Sequence, residues 1–294
     1  MTTYAIEAQN VCRSFGQTKA VQNLNLRVPR GSIYGFLGRN GAGKTTLIRM
    51  LAGLIRPDSG ELRVHGVEPG NFTVEERSRI GYMSEKQILP LALRVDALIK
   101  FTARFYPAWD HAVCDRILKR FRIDRKKRVR DLSQGGMRQV AFMLALAQKP
   151  DLLILDEPAA NLDVVARREF LDEVLEMIRE EGRTVFLSSH ILSDIERIAD
   201  QVGILGDGTL KVSESLDELK ETVKQVRFYN FPVSTDQFDV PGAFRVDKRK
   251  DGALVTLRVE NEESLQKLAA LHRCQYELRS LNLEDIFVEI AREF

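Results

Sequence analysis

The chain has 294 residues, 44% of them hydrophobic and 29% charged, the proportions of an ordinary globular protein with room for one large domain or one domain and a smaller companion. Lys and Arg number 44 against 42 Asp and Glu, a formal charge of +2, so no global field for a polyanion is present and no nucleic-acid partner is expected. The three cysteines, Cys12, Cys114 and Cys274, lie far apart, which excludes a disulfide framework and a C-x-x-C metal site and fits reduced thiols in a cytosolic protein.

Taken in chain order, the opening "MTTYAIEAQNVCRSFG" has no basic segment followed by an apolar core, so no secretion signal is expected. The run "SIYGFLG" (32–38) is apolar throughout, the pattern of a strand buried on both faces. It leads into "GRNGAGKT", which matches G-x-x-x-x-G-K-[ST] from Gly38 to Thr45 in the context that motif requires, after a strand and before a helix. Gly38, Gly41 and Gly43 give the turn and let phosphate oxygens approach successive backbone N–H groups. The following helix adds its free N–H groups and about half a positive charge. Lys44 is expected to reach the β- and γ-phosphates and the Thr45 hydroxyl to hold Mg²⁺, with Arg39, Asn40, Ala42 and Thr46 completing an ATP-binding loop.

Residues 88–149 show helical stretches and no convincing strand, which reads as a helical insertion. The run "DRKKRVRD" (124–131) is basic; it fits a solvated edge of that insertion, and also contact with anionic lipid headgroups or nucleic acid. The apolar "PDLLILDE" (150–157) predicts a second buried strand, with Asp156 at its end, where a carboxylate needs a cation. Mg²⁺ beside Thr45 would supply one, and Glu157 is placed to polarise an attacking water. "ARREFLDEVLEMIREEG" sets Leu171, Val174, Leu175 and Ile178 at helical spacing and stops at Gly182. "RTVFLSSH" (183–190) and "DQVGILGDG" (200–208) predict further buried strands. Strands alternating with helices give an α/β core with a largely parallel sheet. After about residue 214 the pattern becomes that of a small α+β appendage, with short strands in "QVRFYNF", "AFRVDK" and "ALVTLRV" and helices in "EESLQKLAALH" and "LEDIFVEIAREF". His272 and Cys274 there, without further ligands, make a poor metal site. No run approaches the roughly 18 apolar residues that span a bilayer, so a membrane part would be another chain.

Between the glycine-rich loop and "LLILDEP" lies "LSQGGMRQVAFMLALAQKP", and with it the chain resembles the ATP-binding subunit of an ABC transporter. The family's Leu-Ser-Gly-Gly-Gln signature falls without gaps on Leu132 to Gly136. Gln134 and Gly136 depart from it, while Ser133 and Gly135 are retained, and the resemblance implies that they touch the γ-phosphate of ATP held by an opposite subunit. It also implies that Asp163 in "NLD" organises the facing site, that His190 in "LSSHILSDIERIAD" contacts the γ-phosphate and the water, and that Phe15 in "VCRSFGQTKAV" stacks on adenine; an ordinary core Phe is the competing reading for Phe15. Where the family has a Mg²⁺-sensing Gln, "IGYMSEKQ" has Glu85, with Gln87 two residues on. Either Glu85 binds Mg²⁺ or it is an exposed loop acid.

The fold implied is a P-loop NTPase (RecA-like) core over residues 1–214, with the helical subdomain at about 88–149, plus an accessory region over 215–294. The function implied is ATP binding and hydrolysis, catalysed by Glu157, His190 and Lys44, with ATP and Mg²⁺ (held by Thr45, Asp156 and Glu85) as cofactors. The partners implied are a separate transmembrane permease subunit and a second ATP-binding subunit, in a homodimer or heterodimer, with the chain cytoplasmic and peripheral on the inner face of the cell membrane. "FYPAWD" and the stretch after His190 look most like bacterial export-type systems. The alternative is a soluble ATPase switch acting on nucleic acid or ribosomes, although such relatives carry two cassettes or long coiled-coil insertions.

Overall fold

The computed structural model describes residues 3–291 apart from 87, 161, 232–237, 239, 250 and 260, and of 177–181 the backbone alone. The chain divides into two compact units, Met1–Ser213 and Glu214–Phe294.

The first unit opens with two long strands, β1 (Tyr4–Phe15) and β2 (Thr18–Pro29), paired antiparallel. In β2 every second residue from Leu24 to Val28 is buried, the period of a sheet with one dry face. Next come β3 (Ile33–Gly38), buried at every position, and α1 (Lys44–Leu51). β4 (Ser59–Val64) joins the far edge of β1, giving a three-stranded antiparallel sheet in the order β2-β1-β4. A single apolar cluster holds Ile6, Leu24 and Leu26 from that sheet, Tyr34, Phe36 and Phe186 from the second sheet, and Leu47, Ile48 and Leu51 of α1. The helix after the glycine-rich loop is therefore part of the core that holds the two sheets together.

The chain continues through α2 (Val74–Ser78), β5 (Ile80–Met83), α3 (Val95–Ala103), α4 (His111–Arg120), α5 (Gln134–Ala147), β6 (Leu152–Asp156), α6 (Val164–Glu181), β7 (Thr184–Ser188), α7 (Leu192–Ile198), β8 (Gln201–Gly206) and β9 (Thr209–Ser215). The second sheet runs β5-β6-β7-β3-β8-β9, with β5–β6, β6–β7, β7–β3 and β3–β8 all parallel. β3, β6 and β7 are buried residue for residue, as strands covered on both faces must be. Tyr34 stacks on Phe186 at 5.5 Å across this sheet. In such sheets ligands bind beyond the carboxyl ends of the strands, and Gly38, Asp156 and Ser188 are three of those ends.

The stretch 88–149 holds α3, α4 and α5, and its described residues contribute one isolated bridge, between Arg94 and Arg128. α4 is tied to α6 by charge. Glu173, with no exposed surface, accepts from Arg120 Nη1 at 2.6 Å and faces Arg116 at 3.6 Å, so an apolar helical face carries one buried carboxylate between two guanidinium groups. α6 buries Leu171 and Val174 and ends at Gly182, whose φ is +61°, while the Ile178 side chain lies outside the described residues. In the basic run 124–131, Arg125 pairs with Asp115 and Val129 is fully buried, with the remaining cations exposed.

The second unit contains α8 (Leu216–Thr222), β10 (Val223–Tyr229), β11 (Ala243–Arg249), β12 (Gly252–Arg258), α9 (Glu262–His272), β13 (Gln275–Ser280) and α10 (Leu283–Ile290). Its sheet is antiparallel throughout, in the order β11-β12-β10-β13. Val226, Phe228, Ala253 and Val255 pack with Leu265 and Ala269 of α9. Arg258 forks onto both carboxylate oxygens of Glu214, at 2.6 and 2.8 Å. His272 sits edge-on to Phe238 at 4.8 Å, an aromatic packing role.

Candidate functional site

The site is built from strand ends. β3 ends at Gly38, the loop 39–43 turns back, and α1 begins at Lys44. Gly43 caps this helix with a φ of +108°, and a Cβ there would collide with the Ala20 carbonyl; one on Gly38 would sit 2.7 Å from the Leu205 carbonyl oxygen. Gly38 thus requires glycine for space, and Gly43 for space as well as for conformation. The loop leaves the first N–H groups of α1 facing outward without intrahelical partners.

Arg39, Asn40, Gly41, Gly43, Lys44, Thr45 and Thr46 line a cavity of about 480 Å³ together with Thr18, Ala20, Glu85, Glu157, Ala160 and His190. Gly38 and Ala42 sit behind the loop: the Gly38 carbonyl accepts from Lys44 Nζ at 2.7 Å, and the Ala42 carbonyl from the Gly208 N–H at 3.1 Å. Lys44 is 7% exposed, and burial lowers its pKa while the carboxylates of Glu157, Asp156 and Glu85 pull it back up. Its ammonium lies 3.9 Å from Glu157 Oε1. A buried cation whose hydrogen bonds go to two loop carbonyls, Gly38 and Arg39, is suited to a strong anionic acceptor.

Asp156 is 1% exposed, and burial raises its carboxyl pKa, against the hydroxyls of Ser188 and Thr45. Oδ1 accepts from Ser188 Oγ at 2.8 Å, while Oδ2 is buried without a hydrogen-bond partner among the described residues. An orphaned carboxylate oxygen beside a threonine hydroxyl fits a hard divalent cation. Glu157 has a φ of +48°, a left-handed backbone held by its N–H donating to Ser188 Oγ at 3.0 Å and by Arg138 Nη1 donating to its carbonyl at 2.8 Å. Its Oε2 accepts from the His190 backbone N–H at 3.2 Å and lies 2.6 Å from His190 Nδ1. A carboxylate offers only acceptors, so the imidazole presents Nδ1–H to it.

Ser133, Gly135 and Asp163 line a second concavity of about 750 Å³, with Gln134, Gly136, Arg120 and Arg122 among its walls and no lining residue shared with the first. Ser133 Oγ accepts from the Gly136 N–H at 3.0 Å and caps α5, and Asp163 Oδ1 accepts from the Ala166 N–H at 2.8 Å at the start of α6. Asn161, beside Asp163 in "NLD", lies outside the described residues, as does Gln87. Glu85 is exposed and lines the first cavity. Phe15 is 49% exposed, which removes the core reading for it; Arg13 lies over its ring at 4.9 Å, and its cross-strand neighbour Thr18 lines the first cavity while Phe15 itself does not. Arg138, buried on α5, was not among the residues singled out from sequence, because one arginine in a polar helix start carries no signal of facing inward.

With this geometry in place, comparison with known proteins gives consistent matches. The family described as ABC transporter matches residues 21–160. The chain is 32% identical to the bacitracin transport ATP-binding protein BcrA of Bacillus licheniformis, over 97% of this chain and 96% of that one. The chain belongs to the ABC transporter ATP-binding family. It is also 28% identical to the ABC transporter ATP-binding protein YtrB of Bacillus subtilis (strain 168), over 96% of this chain and 97% of that protein, a span that takes in the second unit. A solved structure described as an ATP binding subunit of an ABC transporter superposes with a TM-score of 0.68 at 26% identity, covering 74% of this chain and 92% of that one. The chain is thus an ABC ATPase, with a P-loop NTPase core and the fold of ABC cassettes. No described helix is long and apolar enough to cross a membrane.

Proposed function

We propose that this ABC ATPase energises an export-type transporter from the cytoplasmic face of the membrane, driving a separate transmembrane permease chain. It would close on ATP against a second ATP-binding chain, a copy of itself or a sister. The observation that carries the catalytic part is the placing of the Glu157 carboxylate at the mouth of the loop cavity, 2.6 Å from His190 Nδ1 and 3.9 Å from Lys44 Nζ.

In this reading the loop from Gly38 to Thr46 binds the triphosphate, with Lys44 leaving its loop carbonyls for the β- and γ-phosphate oxygens. Thr45 and Asp156, with Glu85 at the rim, are the residues that would hold Mg²⁺, which when bound offsets charge on the phosphoryl oxygens. Glu157 accepts a proton from the attacking water. The water oxygen bonds to the γ-phosphorus, the bond from phosphorus to the β–γ bridging oxygen breaks, and ADP leaves with that electron pair. His190 keeps the carboxylate in line and faces the γ-phosphate. Phe15, exposed at the hairpin end, would stack on the adenine.

Ser133, Gly135 and Asp163 lie in a concavity of their own, so a complete site would combine the loop of one chain with the signature of another. Support for the transport reading comes from the likeness to the bacitracin transport ATP-binding protein BcrA and the ABC transporter ATP-binding protein YtrB, and support for export from the likeness to BcrA. The basic run 124–131 carries no aromatic platform and two of its arginines, Arg125 and Arg130, are paired with carboxylates, which leaves the nucleic-acid reading without a specific observation in its favour.

The test of the catalytic part is Glu157→Gln. ATP binding should stay near the wild-type level while turnover falls by roughly 10²–10⁴, the usual contribution of a general base. Hydrolysis at the wild-type rate would remove Glu157 from that role.

A further inference from the structure

Arg138 is a buried charge that the mechanism above does not use. It lies on α5, five residues past Ser133, and is 8% exposed. Burying a guanidinium is costly unless its fork finds acceptors. Its two arms go to main-chain oxygens of two acidic residues of the nucleotide cavity: Nη1 donates to the Glu157 carbonyl at 2.8 Å, and Nη2 to the Glu85 carbonyl at 2.9 Å. The carboxylates of Glu85, Glu157 and Asp156 favour the charged guanidinium, while burial works against it.

The choice of acceptors matters because of what they hold. Glu157 keeps its left-handed φ of +48° between two restraints, its N–H on Ser188 and its carbonyl on Arg138. A non-glycine residue stays in that region only while its surroundings over-determine it. The peptide plane that Arg138 grips follows the Glu157 Cα, so its tilt sets the direction in which the carboxylate leaves the backbone. Five residues of helix, about 7.5 Å, separate this grip from Ser133.

We propose that Arg138 is a positioning residue: it fastens the backbones of Glu157 and Glu85 to the signature helix α5, so that the Glu157 carboxylate is aligned for catalysis only while α5 is seated. The inference rests on the reading of Glu157 as the group that activates water. It gives the signature helix a route to the chemistry within its own chain, in addition to any contact its N-terminus makes with a facing nucleotide. A lysine at 138 would keep the charge but could not bridge the two carbonyls, because one ammonium lacks the planar fork.

The experiment measures ATP turnover and nucleotide affinity on the full chain for the wild type, Arg138→Lys, Arg138→Gln, Glu157→Gln and the double variant Arg138→Lys/Glu157→Gln. Arg138→Lys should lower kcat by about 10–100-fold, the scale of a 1 Å misalignment, with nucleotide affinity within about threefold of wild type because the phosphate loop is untouched. Arg138→Gln should lose at least as much. Since Arg138 acts through Glu157, adding Arg138→Lys to Glu157→Gln should cost less than about a further twofold. Unchanged turnover in both Arg138 variants would overturn the proposal, as would kcat and affinity falling together or full additivity in the double variant. If Glu157→Gln itself turned over normally, the reading of Glu157 would fail and this inference with it; loss in Glu157→Gln alone would remove only the role of Arg138.

Discussion

The Ser133 hydroxyl has a capping role and a proposed phosphate-binding one, and substitution can separate them. Its Oγ caps α5 by accepting from the Gly136 N–H, a contact worth about 1 kcal/mol when replaced by alanine. If capping is its only role, Ser133→Asp should be silent, because aspartate is an equally good cap. If Ser133 also meets a γ-phosphate, the added carboxylate should repel it. The account predicts that Ser133→Asp keeps the wild-type melting temperature and loses at least about tenfold in ATP turnover, whereas Ser133→Ala loses stability first; equal turnover in Ser133→Asp and wild type would leave only the cap. At this scale the sequence was informative where several residues act at fixed spacing. The stretch from Gly38 to Thr46, with Glu85, Glu157 and His190, was marked by motif, and seven of its loop residues line one cavity with those three. Arg138 and Glu173 were not legible, because a charged residue on a helix is ordinarily a solvated one and only tertiary structure turns these two inward.

Elements were legible in proportion to how dry they are. The strands β3, β6, β7 and β8 announce themselves as unbroken apolar runs, since both faces are covered. Strand β2 carries a period-2 signal in "NLNLRV", short beside the glycine-rich motif that follows it. Strand β13, "QYELRS", offers only Tyr276 and Leu278 at period 2, too short a pattern to stand out, being an edge strand exposed at almost every position. A different kind of element, the turn after β4, yields a prediction about pH. Val64 and Val67 exchange backbone hydrogen bonds around His65 and Gly66, both at positive φ. Neither ring nitrogen of His65 has a hydrogen-bond partner among the described residues, and burial, aided by Arg30 and Arg79 against Asp151, lowers its pKa to about 4. Between that value and the ordinary 6.5, the unfolded chain binds a proton that the folded chain does not, so stability is lost as pH falls through this window. Asparagine tolerates the left-handed backbone. His65→Asn should therefore flatten the pH dependence of chemical unfolding between pH 6.5 and 4, by on the order of 1–2 kcal/mol after allowing for partial solvent contact; parallel curves for variant and wild type would show that His65 does not titrate with folding.

For the whole molecule, the change of pattern at about residue 214, where alternation of buried strands with helices gives way to short amphipathic strands, lies beside the division of the chain into the compact units Met1–Ser213 and Glu214–Phe294. The first unit carries every residue of both concavities, and the matches to BcrA and YtrB extend over nearly the full chain, so the second unit belongs to the plan of those relatives as well. What the sequence could not express is that Ser133, Gly135 and Asp163 line a concavity separate from that of the glycine-rich loop, since a motif reports its own residues and not the surface around them. In the proposed function this ATPase drives a separate membrane chain. The direct measurement is to tag the Glu157→Gln chain, solubilise native membranes in mild detergent with ATP present, and determine what co-purifies and in what ratio. A polytopic membrane protein at fixed stoichiometry, retained with ATP, is the expected result. Recovery of ribosomes or nucleic acid with no membrane protein would contradict it, leaving the ATPase in place and the transport function refuted.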